Sequence, residues 1–129
     1  MAAENCEKKF VMRPNRKGEW PFSDAVWAGS TLYLSGQLGL EPGTQRVPSN
    51  VKSEIRIMLD NLKATLAAAG LEMKHLVFVQ VFCSDVSLFA EFNEIYREYF
   101  DGNFPPRAFL GSGTLLFNAH FEIQGIAAK

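Results

Sequence analysis

Pro105-Pro106-Arg107-Ala108 places an arginine directly after two prolines, at the head of an apolar stretch running to Leu110. Proline fixes the backbone φ, so Arg107 is launched from a rigid corner at the start of an element. A guanidinium held this way suits planar, two-point recognition of a carboxylate or phosphate. A surface ion pair is the alternative use. Glu122 stands within Phe121-Glu122-Ile123-Gln124-Gly125-Ile126. At strand periodicity Phe121, Ile123 and Gly125 share one face, and Glu122, Gln124 and Ile126 share the other. A carboxylate there is either an exposed edge group or sits in a cleft, where partial burial raises its pKa toward general-base values.

Ser35-Gly36-Gln37 ends a strand pattern. A glycine at such a point lets a ligand approach the backbone closely, or marks a bulge with no ligand at all. Asn93, on an otherwise aromatic helical stretch, is either a donor to a substrate or a solvated residue. His120 has no carboxylate neighbour in sequence and reads as a surface histidine; His75 reads as loop. Cys83 reads as packed rather than nucleophilic, because nothing close in sequence would lower its pKa. The nucleophile-elbow, phosphate-loop and dinucleotide-binding motifs are absent, as is any metal-ligand spacing.

The elements that must position these residues follow from periodicity and punctuation. Residues 1 to 19 read as an N-terminal segment and loop, and 13 to 22 as loop, broken by two prolines and a glycine. Ala25–Ala28 and Thr31–Ser35 flank Gly29-Ser30, a two-residue hairpin turn. Val51, Ile55, Met58, Leu62 and Leu66 recur at helical steps after a cap at Ser49 or Asn50. Glu54 lies in the first turn, and Gly70 sits at the left-handed C-terminal position. Leu76–Phe82 reads as a central strand with Val77, Val79 and Val81 on one face and Leu76, Phe78 and Phe82 on the other. A second helix is expected over about 87–100, with Phe89, Phe92, Tyr96 and Tyr99 or Phe100 on its apolar side. Arg107–Leu110 and Ala119–Ala127 complete an α+β plan: a mixed sheet with two helices packed on one face. Those helices leave the other face open, although the 76–82 strand is apolar on both. A partner subunit is the economical cover.

The 129 residues form one domain in this reading, 47% hydrophobic and 21% charged. Thirteen basic residues against fourteen acidic ones give a formal charge of −1. The basic residues are scattered, which disfavours a polyanion partner, so no nucleic acid is expected. No apolar run approaches the ~20 residues that span a bilayer, and the N-terminus has no apolar signal core. With two distant cysteines, a reducing, cytoplasmic setting is expected.

Six fragments then carry a resemblance: Pro21-Phe22-Ser23-Asp24-Ala25-Val26, Leu34-Ser35-Gly36-Gln37, Leu59-Asp60-Asn61-Leu62-Lys63 with Ala68-Ala69-Gly70, Phe92-Asn93-Glu94-Ile95-Tyr96, Pro106-Arg107-Ala108, and Glu122-Ile123-Gln124-Gly125-Ile126-Ala127. In order and spacing the chain resembles the RidA family (YjgF-type proteins) from about Trp20 onward. The resemblance implies a chorismate-mutase-like fold and a homotrimer whose sheets meet in a barrel, with a cleft between each pair of subunits. It also implies hydrolysis of enamines and imines such as 2-aminoacrylate to 2-oxo acids and ammonia, without a cofactor. The family's carboxylate-binding arginine falls on Arg107, its water-orienting glutamate on Glu122, its backbone-contact glycine on Gly36 and its cleft asparagine on Asn93. A backbone carbonyl just after Arg107 would receive the imine N–H.

Phe22 stands where the family commonly has Tyr, and Phe109 where a small residue or Cys is common. Gly111-Ser112-Gly113-Thr114 replaces a stretch that normally carries a charge and a Leu-Pro, and Gln124 replaces a second Glu. Phe22 and Phe109 are therefore candidate substrate-binding residues that set which imine fits. Two other functions are compatible with the resemblance: a carboxylate-binding regulatory module without turnover, and an RNA-directed translation inhibitor or ribonuclease.

Overall fold

The computed structural model describes residues 6–129. Six strands, β1 (Lys8–Val11), β2 (Ala25–Ala28), β3 (Thr31–Gln37), β4 (Leu76–Cys83), β5 (Arg107–Gly111) and β6 (Phe121–Ala128), form one sheet in the order β1-β2-β3-β6-β4-β5. All neighbours are antiparallel except β4 and β5, which run parallel and are joined through helix α2 (Phe89–Tyr96). Short 3-10 turns at Val86–Leu88 and Arg97–Tyr99 extend α2 at both ends, so the expected second helix is present but its last turn tightens.

Helix α1 (Val51–Ala68) begins where Asn50 accepts hydrogen bonds from the Lys52 and Ser53 amides. It ends as Gly70, at φ +79°, turns the chain: the Gly70 amide donates to the Ala67 carbonyl and the Leu71 amide to that of Leu66. Ile55, Met58, Leu59, Leu62 and Leu66 are fully buried against the inward residues of the sheet. Burial of each contributes about 1.5–3 kcal/mol. Phe92 and Ile95 of α2 join the same core, so both helices cover one face of the sheet. Phe89 does not join it; 45% of its surface stays exposed. Among the described residues, no helix is long and apolar enough to cross a membrane.

Two expectations need correction. Lys8–Val11 is a strand, not part of a loop; it pairs antiparallel with β2, and its two lysines give the sheet a charged edge, which disfavours further strand pairing. Val77 does not share a face with Val79 and Val81. The β4–β6 register shifts between Leu76 and Phe78, so Leu76 turns inward while Val77 stays exposed. This is the geometry of a β-bulge.

The face away from the helices is open. One row of residues crosses five strands in register, Phe10, Val26, Tyr33, Ile126 and Phe78. Phe10, Tyr33 and Phe78 are all exposed. A second row holds Gln124 donating to the Gln80 side chain at 2.7 Å, with Ala108 beside it. The third row is Glu122, Phe82 and Leu110.

Candidate active site

Arg107 stands opposite Val79 in the parallel register, and Val79 is fully buried beneath the helices. Arg107 therefore points to the α2 side of the sheet. Its Nη2 donates to Oδ1 of Asn93 at 2.8 Å. Its Cζ lies 4.7–5.7 Å from the ring centres of Phe89, Phe92, Tyr96 and Phe109. Each such cation–π contact contributes about 0.5–2 kcal/mol. This aromatic collar explains the helix sequence: residues 89, 92, 93 and 96 recur at three- and four-residue steps over two turns and face β5 together. Burial pulls the guanidinium below its ordinary pKa, and the neighbouring Arg97 acts in the same direction. Among the described residues no carboxylate pairs with it, so the surface ion pair is not its use.

A cavity of about 310 Å³ opens beside Arg107, lined by Asn93, Tyr96, Arg97, Phe104, Pro105 and Arg107. Tyr96 was legible only as a helix-face aromatic. Its hydroxyl is buried without a partner, and burial pushes its pKa up to about 12, so it stays protonated. Asn93 uses its carbonyl oxygen on Arg107, which leaves its amide N–H groups to donate. The wall thus offers the Asn93 amide and the guanidinium groups of Arg107 and Arg97, while the Tyr96 hydroxyl lies buried behind it; this is a match for an acceptor-only anion such as a carboxylate. A larger hollow of about 730 Å³ lies between α1 and the end of α2. Four of its polar side chains are engaged with one another, Arg56 with Glu98 and Tyr99 with Asp60.

Glu122 and Gly36 form a separate cluster on the open face. The β3–β6 register shifts between Leu34 and Gln37, which brings Gly36 against the Glu122 side chain. A Cβ on Gly36 would lie 3.0 Å from Cδ and 3.1 Å from Oε2 of Glu122. The Glu122 carboxylate has no hydrogen-bond partner among the described residues, and partial burial raises its pKa above the usual carboxylate range. Phe22 belongs to the same neighbourhood, because Ser35 Oγ donates to the Ser23 carbonyl and the Ser35 amide to that of Asp24. The Phe22 ring is half-exposed, with the Arg16 guanidinium 5.2 Å above it. Within one chain, then, the structure joins Arg107 with Asn93 and Phe109, and Glu122 with Gly36, on opposite faces of the sheet.

The remaining candidates fall elsewhere. Cys83 is buried, its Sγ donates to the Asp85 carbonyl at 3.0 Å, and burial raises its pKa. His75 Nδ1 accepts from the Glu72 amide. His120 is not simply a surface histidine. Its Nδ1 lies 2.7 Å from Oε1 of Glu54, whose fully buried carboxylate also accepts from the amides of His120 and Phe121. Glu54 thus faces inward rather than serving only the helix dipole. Among the described residues there is no group of three or more His, Cys, Asp or Glu able to hold a metal.

Residues 13–129 match the family model described as Endoribonuclease L-PSP. The mouse 2-iminobutanoate/2-iminopropanoate deaminase is 39% identical over 110 residues, covering 84% of this chain and 82% of that protein. Among solved structures, the YjgF gene product of E. coli superimposes with a TM-score of 0.86 at 32% identity, covering 94% of this chain and 98% of that one. E. coli TdcF with bound serine gives 0.85 at 30%, with the same coverage. The motifs, the α+β sheet and these matches agree: the chain belongs to the Endoribonuclease L-PSP family, which is the RidA (YjgF) family.

Proposed function

We propose that this protein is a deaminase that hydrolyses small 2-imino and enamino acids to 2-oxo acids and ammonia, at a site completed by a second copy of the chain. The observation that carries the proposal is the half-buried guanidinium of Arg107, which has a donor-rich wall around it and no carboxylate of its own. The deaminases among its relatives and the serine-bound TdcF structure support an amino-acid-like ligand that carries a carboxylate.

Arg107 and Glu122 face opposite sides of the sheet, so one protomer cannot bring them to one substrate. The open face, with its apolar row from Phe10 to Phe78, supports assembly with further copies. In a closed ring of three, the rim carrying Arg107 on edge strand β5 would meet the Glu122 face of the next subunit. Arg107 then forks onto the substrate carboxylate, and Glu122 takes a proton from the water that adds to the C=N carbon. Glu122 returns that proton to the nitrogen, the hydroxyl of the resulting carbinolamine passes its own proton to the nitrogen as the C–N bond breaks, and the nitrogen leaves as ammonia; an enamine first takes a proton at carbon to become the imine. Positioning supplies much of the rate, because an imine is already electrophilic. The unpaired cysteines, Cys6 exposed and Cys83 buried, accord with a cytoplasmic setting.

The test couples the purified protein to a serine or threonine dehydratase and follows 2-oxo acid release. Arg107→Met is expected to lower kcat/KM by about 10- to 100-fold, the loss of a charge-assisted pair of ~1.5–3 kcal/mol. No acceleration by the wild type, or an unchanged rate in Arg107→Met, would overturn the proposal.

A further inference from the structure

His120 and Glu54 lie outside the site just described and form a chemically distinct unit. The buried Glu54 side chain accepts two backbone amides on Oε2, at 2.8 and 3.3 Å, and meets Nδ1 through Oε1 at 2.7 Å; an ionised carboxylate only accepts, so against one this contact is donated by the imidazole. A ring whose Nδ1 carries the proton keeps a lone pair on Nε2. The other histidine is wired the opposite way. His75 Nδ1 accepts from the Glu72 amide at 3.0 Å, which places the neutral ring's proton on Nε2 and occupies its lone pair. The two imidazoles are comparably half-buried, yet only His120 offers a free basic nitrogen.

That ring borders a hollow of about 410 Å³ at the C-terminal end of β4 and β5, beyond the opposite end of β5 from Arg107. Its polar lining is Ser84, Ser112, Thr114 and Asn118, and His120 is its one titratable side chain. Asn118 of this wall, at φ 56°, and Phe117 just before it, at φ 58°, are successive non-glycine residues in the left-handed region. Such strain persists where the surrounding structure fixes it, and it recurs at functional sites. A carboxylate that orients an imidazole beside a neutral, hydroxyl-rich hollow suits an uncharged polar substrate, in contrast to the anion-seeking Arg107 pocket.

We propose that Glu54 and His120 form a second, acid–base site that hydrolyses small neutral esters in this hollow. His120 Nε2 takes a proton from water, and the hydroxide adds to the ester carbonyl. The tetrahedral intermediate collapses with cleavage of the C–O bond to the alcohol. The leaving alkoxide takes the proton back from the imidazolium, and a carboxylic acid remains. Glu54 is the positioning residue that holds the tautomer and steadies the imidazolium.

The probe is p-nitrophenyl acetate with the full-length chain. Nitrophenolate release is expected to run about tenfold or more above the same concentration of free imidazole. His120→Gln should bring it down to the imidazole level, and His75→Gln should leave it unchanged. Because His120→Gln removes a partner of a buried carboxylate and can destabilise the chain, a second measurement uses the unsubstituted protein. Carbethoxylation followed by peptide mass spectrometry should label His120 about fivefold faster than His75, since only a free nitrogen lone pair reacts. Ester hydrolysis no faster than imidazole, activity that survives His120→Gln, or equal labelling of the two histidines would overturn the proposal. None of these outcomes bears on the Arg107 chemistry.

Discussion

The contact between Gly36 and Glu122 makes a sharp prediction for Gly36→Ala. The backbone of Gly36 is not in the left-handed region, so alanine fits its conformation. Its Cβ, however, would sit 3.0 Å from Cδ of Glu122, where ordinary contact begins at 3.4 Å. The carboxylate is the free end of a flexible side chain and yields by about 0.4 Å. A displacement of about 1 Å costs roughly 100-fold in a positioned reaction, so the kcat of deamination should fall about 5- to 10-fold. Stability should move by less than about 1 kcal/mol, because relief of unfolded-state entropy, ~0.4–1 kcal/mol, offsets the crowding. Gly39→Ala is the matched control: its Cβ would fall 2.0 Å from the main-chain oxygen of Glu54, which cannot swing away. That substitution should cost about 3 kcal/mol or more. The assay pairs thermal melts with steady-state kinetics on both variants. Unchanged kcat in a fully folded Gly36→Ala protein would refute a role for the Glu122 carboxylate position, and an innocuous Gly39→Ala would refute the packing.

Glu122→Gln should abolish deamination and remove the acid limb of its pH profile. That limb should lie above the usual carboxylate range, because burial disfavours the charged form. The same raised folded pKa means that Glu122 supports the fold below its unfolded pKa and loses that contribution as pH rises through the folded value. Glu122→Gln should therefore melt higher than wild type at pH 7–8, the difference vanishing near pH 3, as read by differential scanning fluorimetry. Asn93→Ala removes the acceptor held 2.8 Å from Arg107 and should raise KM about tenfold with little change in Tm. Phe78→Glu, at the β4 end of the open apolar row, should shift the protein in light scattering from a multiple of 14.4 kDa to the single-chain mass.

What was legible in the sequence was local. The α1 stripe, its Asn50 cap, Gly70 and the Gly29-Ser30 turn each carry their signal within a few residues, and all appear where expected. Lys8–Val11 carries no such signal, since two lysines beside Phe10 and Val11 become a strand only because β2 supplies a partner. The inward turn of Leu76 depends on a bulge that alternation alone does not reveal. Arg107 and Glu122 could be nominated from their settings, but not their separation onto two faces, which follows from strand order and register. Glu54 and His120 are 66 positions apart and meet only through the packing of α1 against the start of β6.

The split of the two charged groups across the sheet has a genetic corollary. On the proposed ring assembly, a chain lacking the arginine and a chain lacking the glutamate would each be inert alone, yet co-assembled rings would contain borders where an intact rim meets an intact face. Random mixing in equal parts should restore about a quarter of the wild-type sites. Loss-of-function alleles of the two classes would then complement in a mixed population, whereas two alleles of the same class would not.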